Sequence, residues 1–303
     1  MDRDLLVLGL GYAGEAIARE AASRGWRVAG TRRDPAASAP PPGVAVLPFD
    51  RAGEGIATAT HVVVTAAPGE AGDPVLAAHC AALRDGRARW IGYLSTTAVY
   101  GDRDGGWVDE TTEAAPTLAR ARRRRDAERA WEAFSPPCAV DLFRVGGIYG
   151  PGRSPFDDLR DGTARRTIKP GHAFSRIHRD DIALAVLAAA EQSGPPAIRV
   201  LHLVDDEPAE SAAVVEEAAR LLDVAPPAPV PFDVARETMS PMALSFWAES
   251  RRVANDRTKA ALGIAWRYPT YREGLRGILT EEADGRRAGA ASPGTPRAIP
   301  GSG

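Results

Sequence analysis

An open, mostly parallel α/β sheet with helices on both faces is the fold class this sequence predicts. Three observations predict it. Short apolar runs alternate with stretches of helical periodicity through the first half of the chain. The runs LLVL at residues 5–8 and VVV at 62–64 are uninterrupted, as strands buried on both faces are. The first run leads at once into Gly9, Gly11 and Gly14, a GxGxxG turn of the kind that carries a parallel strand into its crossover helix.

The elements follow in order. Residues 5–8 form the first strand and 14–23 the first helix; 26–29 and 44–47 are the second and third strands. HVVVT at 61–65 and WIGYL at 90–94 are further strands, separated by a helix over 74–84. An Arg-rich helix over 119–133 precedes the strand AVDLF at 139–143. The second half is less regular: a helix over 180–191, a strand over 200–204 and a helix over 210–222 are expected from apolar spacing. APPAPVPFD, residues 225–233, reads as an extended connection, because proline lacks a donor and restricts its predecessor. The segment from Glu281 holds little to bury and reads as a flexible tail. The expected division is 1–170 as the main nucleotide-binding domain, 171–280 as a mixed region that forms a smaller α/β substrate lobe, and 281–303 as the tail.

Composition narrows the function. The chain has 303 residues, 44% of them hydrophobic, and a net charge of -2, which gives no general attraction to nucleic acid or membrane. The arginines at 122–125 alternate with Asp126 and Glu128 and have no aromatic platform; they read as a solvated helix face. No segment approaches the roughly 18 apolar residues of a membrane span, and the N-terminus has no secretory signature. Two cysteines, Cys80 and Cys138, are too few for a disulfide framework. A cytoplasmic protein is the expectation, with a small-molecule partner, acting as a monomer or homodimer. The five histidines show no metal-ligand spacing, and Asp205, Asp206 and Glu207 before Pro208 read as a solvated acidic turn at a helix start, so no metal is expected.

The glycine turn implies a dinucleotide. Gly9 permits the tight turn, Gly11 lets the backbone approach a pyrophosphate, and Gly14 allows close helix packing; Tyr12 and Ala13 lie between them, with Tyr12 covering the pyrophosphate. Cofactor choice is made at the end of the second strand, where AGTRRD places Thr31, Arg32 and Arg33 and brings Asp34 late. Guanidinium groups there pair with a 2'-phosphate, so NADP(H) is expected over NAD(H), with Arg32 as the main contact.

Four further segments carry a resemblance: AAP at Ala66, Ala67 and Pro68; YLSTTAVYGD at 93–102; RVGGIYGPGR at 144–153; and FSRIHRDDIA at 174–183. With the glycine turn and residues 253–275, they resemble the extended short-chain dehydrogenase/reductases, in particular atypical epimerase-like bacterial members, over roughly residues 3–279. The resemblance implies a Rossmann-type doubly wound parallel sheet with a smaller C-terminal lobe. It also implies hydride exchange between a nicotinamide and a carbonyl or secondary alcohol. It places Thr96, with Thr97 beside it, as the hydroxyl that orients substrate, and Ser95, Ala66, Ala67, Pro68 and Gly147 around the cofactor. Capping of the strand end is the competing role for Ser95, Thr96 and Thr97.

In such proteins a Tyr, three residues, then a Lys stand on the helix after the Thr-bearing strand, with a Glu four residues beyond. Glu128 matches that Glu, which maps Lys to Arg124 and Tyr to Arg120. Arg124 retains donors for ribose hydroxyls. Arg120 cannot exchange a proton near neutral pH, so the acid/base is unassigned. Tyr100 is expected to contact substrate, and Arg176 to meet a phosphate or carboxylate. Tyr149 and Arg144 are expected to be structural, as are His178 and Asp181. A cofactor-binding or redox-sensing protein without turnover is the alternative to an enzyme.

Overall fold

The computed structural model describes residues 3–192 and 194–291, and side chains as far as residue 284. Its centre is a seven-stranded sheet built from β1 (Asp4–Leu8), β2 (Arg27–Arg32), β3 (Val44–Pro48), β4 (His61–Val64), β5 (Trp90–Thr96) and, after the short β6 (Trp107–Val108), β7 (Ala139–Val145), with a last strand at Ile198–Leu203. Between β7 and that last strand lie β8 (Gly147–Tyr149), β9 (Arg166–Ile168), β10 (Ala173–Phe174) and β11 (Arg176–His178), which makes the last strand β12. The order is β12-β7-β5-β4-β1-β2-β3, and every neighbouring pair is parallel. Strand order reverses between β1 and β4, and such a switch point opens a crevice at the carboxyl ends of the strands. This is the Rossmann-type doubly wound sheet that the sequence predicts.

The two-residue strand period sorts the core into two layers. Leu5 and Val7 of β1 face one apolar cluster, and Leu6 and Leu8 face the other. In β5, Trp90 and Leu94 join the first while Ile91 and Tyr93 join the second. The first layer is closed by α1 (Tyr12–Ser23) and by Arg179–Glu191, whose buried Ala18, Ala21, Ala185 and Ala189 let two helices approach closely. The second layer is closed by α2 (Ala52–Thr58), α3 (Pro74–Asp85) and α4 (Ala119–Glu132), which bury Ile56, Val75 and Trp131. Both faces of the sheet are thus covered, which is why its strands carry no polar alternation.

A smaller lobe sits at the carboxyl ends. It comprises α5 (Pro155–Arg160) and, beyond α6 (Arg179–Glu191) of the first layer, α7 (Ser211–Leu221), with short strands of which β13 (Ala209–Glu210) pairs with β10. Tyr149, Phe156, Val214, Tyr271 and Leu275 form its core. A capping box starts α5: Ser154 and Asp157 satisfy each other's backbone donors.

Three expectations change. The proline-rich connection contains β14 (Pro229–Pro231), paired in parallel with β9, and α8 (Phe232–Ala235) begins within it; Val230 between the prolines keeps the donor they lack. After α9 (Pro241–Trp247), β15 (Arg252–Val253) and α10 (Asp256–Leu262), the terminal α11 runs from Tyr271 to Ala291, through the start of the expected tail. Buried Leu275 and Ile278 and the ion pairs Arg179–Glu281 and Arg160–Glu282 hold it; residues 292–303 lie outside the described residues. Asp205, expected in a solvated acidic turn, is 1% exposed. No described helix is long and apolar enough to cross a membrane.

Candidate functional site

The glycine turn is built as its spacing requires. Gly9 has φ +115°, and a Cβ there would lie 2.7 Å from Thr65 Oγ1. A Cβ on Gly14 would stand 2.1 Å from the Gly9 carbonyl oxygen, so α1 packs on the turn only through a glycine. Gly11 is the N-cap of α1, with φ -91°, no side-chain cap and nothing within 4 Å of an added Cβ. The helix start that begins with Tyr12, Ala13 and Gly14 therefore presents its amides beside open space, the arrangement that receives a phosphate. Buried Thr31 fixes the turn from β2: its hydroxyl accepts from Gly9 N at 3.1 Å, and its carbonyl accepts from Leu10 N at 2.8 Å. Tyr12 donates to the Pro151 carbonyl at 3.0 Å and so ties the turn to the GPG loop.

Next to the turn, Ala66 follows β4 and donates its N–H to the Leu8 carbonyl. Ala67 and Pro68 line a cavity of about 740 Å³, a volume usual for small-molecule sites. Ser95, Thr96, Thr97, Arg120, Arg124, Gly147 and Arg176 line the same cavity. The structure thus brings the end of β5, the helix α4 and the turn after β7 to one cleft.

Thr96 accepts from Ala98 N at 3.2 Å and caps the turn after β5. Its own hydrogen remains available for donation, so the capping and substrate-orienting roles are compatible. Ser95 donates to Glu128 at 2.5 Å, and Glu128 is fully buried and held by two nitrogens of Arg144 at 3.1 and 2.9 Å. Arg124 donates to the Leu94 carbonyl at 3.0 Å and to the Tyr93 hydroxyl at 3.1 Å. Arg120 lies 4.1 Å from the centre of the Phe246 ring and contacts Met242 Sδ at 3.3 Å, under α9. Burial holds its pKa below the ordinary guanidinium value, offset in part by Glu249.

No phenol stands where a proton donor is needed. Tyr100, expected to touch substrate, is fully buried and outside the cavity lining. Its hydroxyl is engaged with His202 at 2.5 Å and Arg144 at 2.8 Å, and burial pushes it up to about 12. That expectation is corrected: the Tyr of VYG packs between β7 and β12. Tyr93 is likewise pushed up to about 12 by burial. Tyr149 lines the cavity, but its hydroxyl is buried without a partner against Gly274, whose added Cβ would meet it at 2.0 Å. His178 and Asp181 are architectural: His178 accepts from Asp180 N, and Asp181 accepts from Arg267 N and Tyr268 N.

Sequence reasoning missed the wall formed by Phe246, Trp247, Glu249 and Arg251. Its one signal was the adjacent aromatic pair just ahead of the charged run 249–252. Among the described residues no group of His, Cys, Asp and Glu is placed to hold a metal.

No protein-family model matches the chain. A structure of a functionally unknown conserved protein from Silicibacter pomeroyi shares 42% identity, with a TM-score of 0.84 over 92% of this chain and 98% of that one. A Streptomyces 3-diazoavenalumate denitrifying reductase is 34% identical over 142 residues, 44% of this chain and 45% of that protein; the match therefore spans under half the length of this relative. Protein YeeZ of Escherichia coli K12 is 28% identical over 74% of this chain and 86% of its own length. MoeE5, at 19% identity and TM-score 0.75 over 93% of this chain and 99% of that one, has the same fold and was captured with NAD and UDP-glucuronic acid.

The expected preference for NADP(H) is overturned: MoeE5 holds NAD, and Arg32 is not free for a 2'-phosphate. Its side chain is 8% exposed and pairs with Glu15 at 2.8 Å, while another nitrogen donates to the Ser38 carbonyl at 2.6 Å. Arg33 beside it is exposed. The seven-stranded parallel sheet with its C-terminal lobe is the fold of these structures, and of a putative NAD-dependent epimerase/dehydratase from Methylobacillus flagellatus at 24% identity and TM-score 0.71 over 93% of this chain and 100% of that one.

Proposed function

We propose that the protein is an NAD-dependent oxidoreductase or epimerase-like enzyme that exchanges hydride with a carbonyl or secondary alcohol. The observation that carries this reading is that Thr96 and Arg124 line one cleft together with Ala67 and Pro68, which follow β4 at the switch point. The glycine turn fits a pyrophosphate, since Gly9 and Gly14 occupy positions a Cβ would fill. When bound, NAD takes or supplies the hydride at C4 of its nicotinamide. Arg124 holds ribose hydroxyls in place of a Lys, and Thr96 donates a hydrogen bond to the substrate oxygen as charge develops there. Arg120, in the position of the Tyr, stays charged. The proton accompanying hydride transfer is then exchanged with water or with a group of the substrate. That the Streptomyces relative is a reductase supports the oxidoreductase reading.

Stopped-flow absorbance at the nicotinamide band, with NADH and a panel of aldehydes, ketones and sugar nucleotides, tests it. Oxidation of NADH is expected, with Thr96→Ala slowing it about 100-fold while NADH affinity is kept. NAD(H) is expected to bind more tightly than NADP(H). One observation favours a second reading, cofactor binding without turnover: among the described residues, no tyrosine hydroxyl opens on the cleft. Binding of NADH with no turnover across the panel would decide for it.

A further inference from the structure

The cleft is lined by Arg120, Arg124, Arg153, Arg176 and Arg251, and by one carboxylate, Glu249. Of these arginines only Arg251 has a carboxylate within ion-pair distance among the described residues, Glu249 at 2.9 Å. The other oxygen of Glu249 accepts from the Thr117 hydroxyl. Elsewhere the chain pairs its arginines freely, as Arg24, Arg27, Arg144 and Arg199 show. Five guanidinium groups gathered in a concave site with one carboxylate raise the local concentration of anions.

The proposed function accounts for two of them. Arg153 lies over the Tyr12 ring at 5.7 Å, beside the glycine turn and its pyrophosphate site, and Arg124 stands at the ribose. Arg120 and Arg176 remain. Arg176 is held by two carbonyls, of Phe174 and Ala209, both at 3.0 Å from one terminal nitrogen; among the described residues its other nitrogens have no acceptor. Among the described residues the neighbouring Asp205 makes no ion pair with it, and burial pushes the Asp205 carboxyl up against the pull of Arg176.

The remaining wall is aromatic. Phe174 and Trp247 meet edge to face at 5.1 Å, Trp247 stacks on His172 at 5.4 Å, and Phe246 carries Arg120. Among the described residues no Asp, Asn, Gln, His or Lys lines the cleft. A polyhydroxylated sugar needs acceptors for its hydroxyl hydrogens; the guanidinium groups offer only donors, which leaves acceptance to Glu249 and the hydroxyls of Ser and Thr. An acid brings acceptors and charge, and a flat body suits an aromatic wall.

We propose, resting on the function proposed above, that the substrate is a planar organic acid, aromatic or conjugated, whose carboxylate is met by Arg120 and Arg176 and whose plane lies against Phe174, Phe246 and Trp247. Arg120 is then a specificity-determining residue, occupying the Tyr position for binding instead of proton transfer.

Calorimetric titration of the full chain tests this, first with NAD alone, then with trans-cinnamate, cinnamamide and UDP-glucose in the presence of NAD. Cinnamamide has the plane of cinnamate without its charge. Cinnamate is expected to bind at least about tenfold more tightly than cinnamamide. Arg120→Gln and Arg176→Gln should each reduce its affinity about tenfold and leave that of cinnamamide unchanged. Equal binding of acid and amide, binding of neither, or UDP-glucose outcompeting cinnamate overturns the inference. If NAD binds and the acid shows no preference, this inference alone fails. If NAD does not bind, the proposed function fails, and the acid comparison is read on the protein without cofactor, where the same tenfold preference is expected.

Discussion

Asp205 lies in DDEP, a sequence that reads as an exposed turn, yet both its carboxylate oxygens are buried without a hydrogen-bond partner. Burial raises its pKa from 3.8 to about 8, with Arg176 pulling the other way. In the unfolded chain this carboxyl loses its proton above about pH 4; in the folded chain it keeps it to about pH 8. Its contribution to stability is therefore complete below pH 4 and is lost as pH rises toward 8, at up to about 1.4 kcal/mol per pH unit. Thermal unfolding from pH 5 to 9 should show wild-type stability declining relative to Asp205→Asn, whose side chain does not titrate; parallel profiles would show that Asp205 is charged at neutrality. Residue-scale chemistry is the part of the site least legible in sequence. The exchange of Tyr for Arg120 is plain in the letters, but that Arg120 rests on Phe246, more than a hundred positions away, is a product of folding. Arg32 misled for the same reason: its neighbour Glu15 lies one turn into α1 and takes the guanidinium that a 2'-phosphate would need.

At the scale of elements, α4 is fixed by one buried constellation. Glu128 on α4, Arg144 on β7 and Ser95 on β5 join the helix to two strands. Removing the carboxylate leaves a buried guanidinium without its partner, a loss that costs about 3–5 kcal/mol. Urea unfolding of Glu128→Ala should show a midpoint lowered accordingly, and Arg124 should lose its hold on the Leu94 carbonyl as the helix shifts. A change below about 1 kcal/mol would mean the pair behaves as an exposed one. The long elements were readable because period alone defines them: uninterrupted VVV can only be buried on both faces, and the alanines of α1 and α6 mark a close helix contact. The wall formed by α9 was not, because a seven-residue helix has too few turns to display a period, and its aromatics Phe246 and Trp247 carry no motif.

For the whole molecule, the strand order and its reversal between β1 and β4 open a crevice at the carboxyl ends of the strands, where the proposed function sets cofactor and substrate. That much was legible from the first fourteen residues and the strand rhythm. The identity of the cofactor was not, since it depends on which side chains around β2 are already engaged. The central claim is that the pyrophosphate of NAD lies against Gly11. Gly11 has a backbone conformation open to any residue and free space around an added Cβ, so Gly11→Ala should fold normally and place its methyl where the phosphate must approach. Calorimetric titration of NAD into the wild type and Gly11→Ala, with melting temperatures measured alongside, separates folding from binding. The expected result is an unchanged melting temperature and an affinity for NAD reduced at least about tenfold; equal NAD affinity in the two proteins would contradict it.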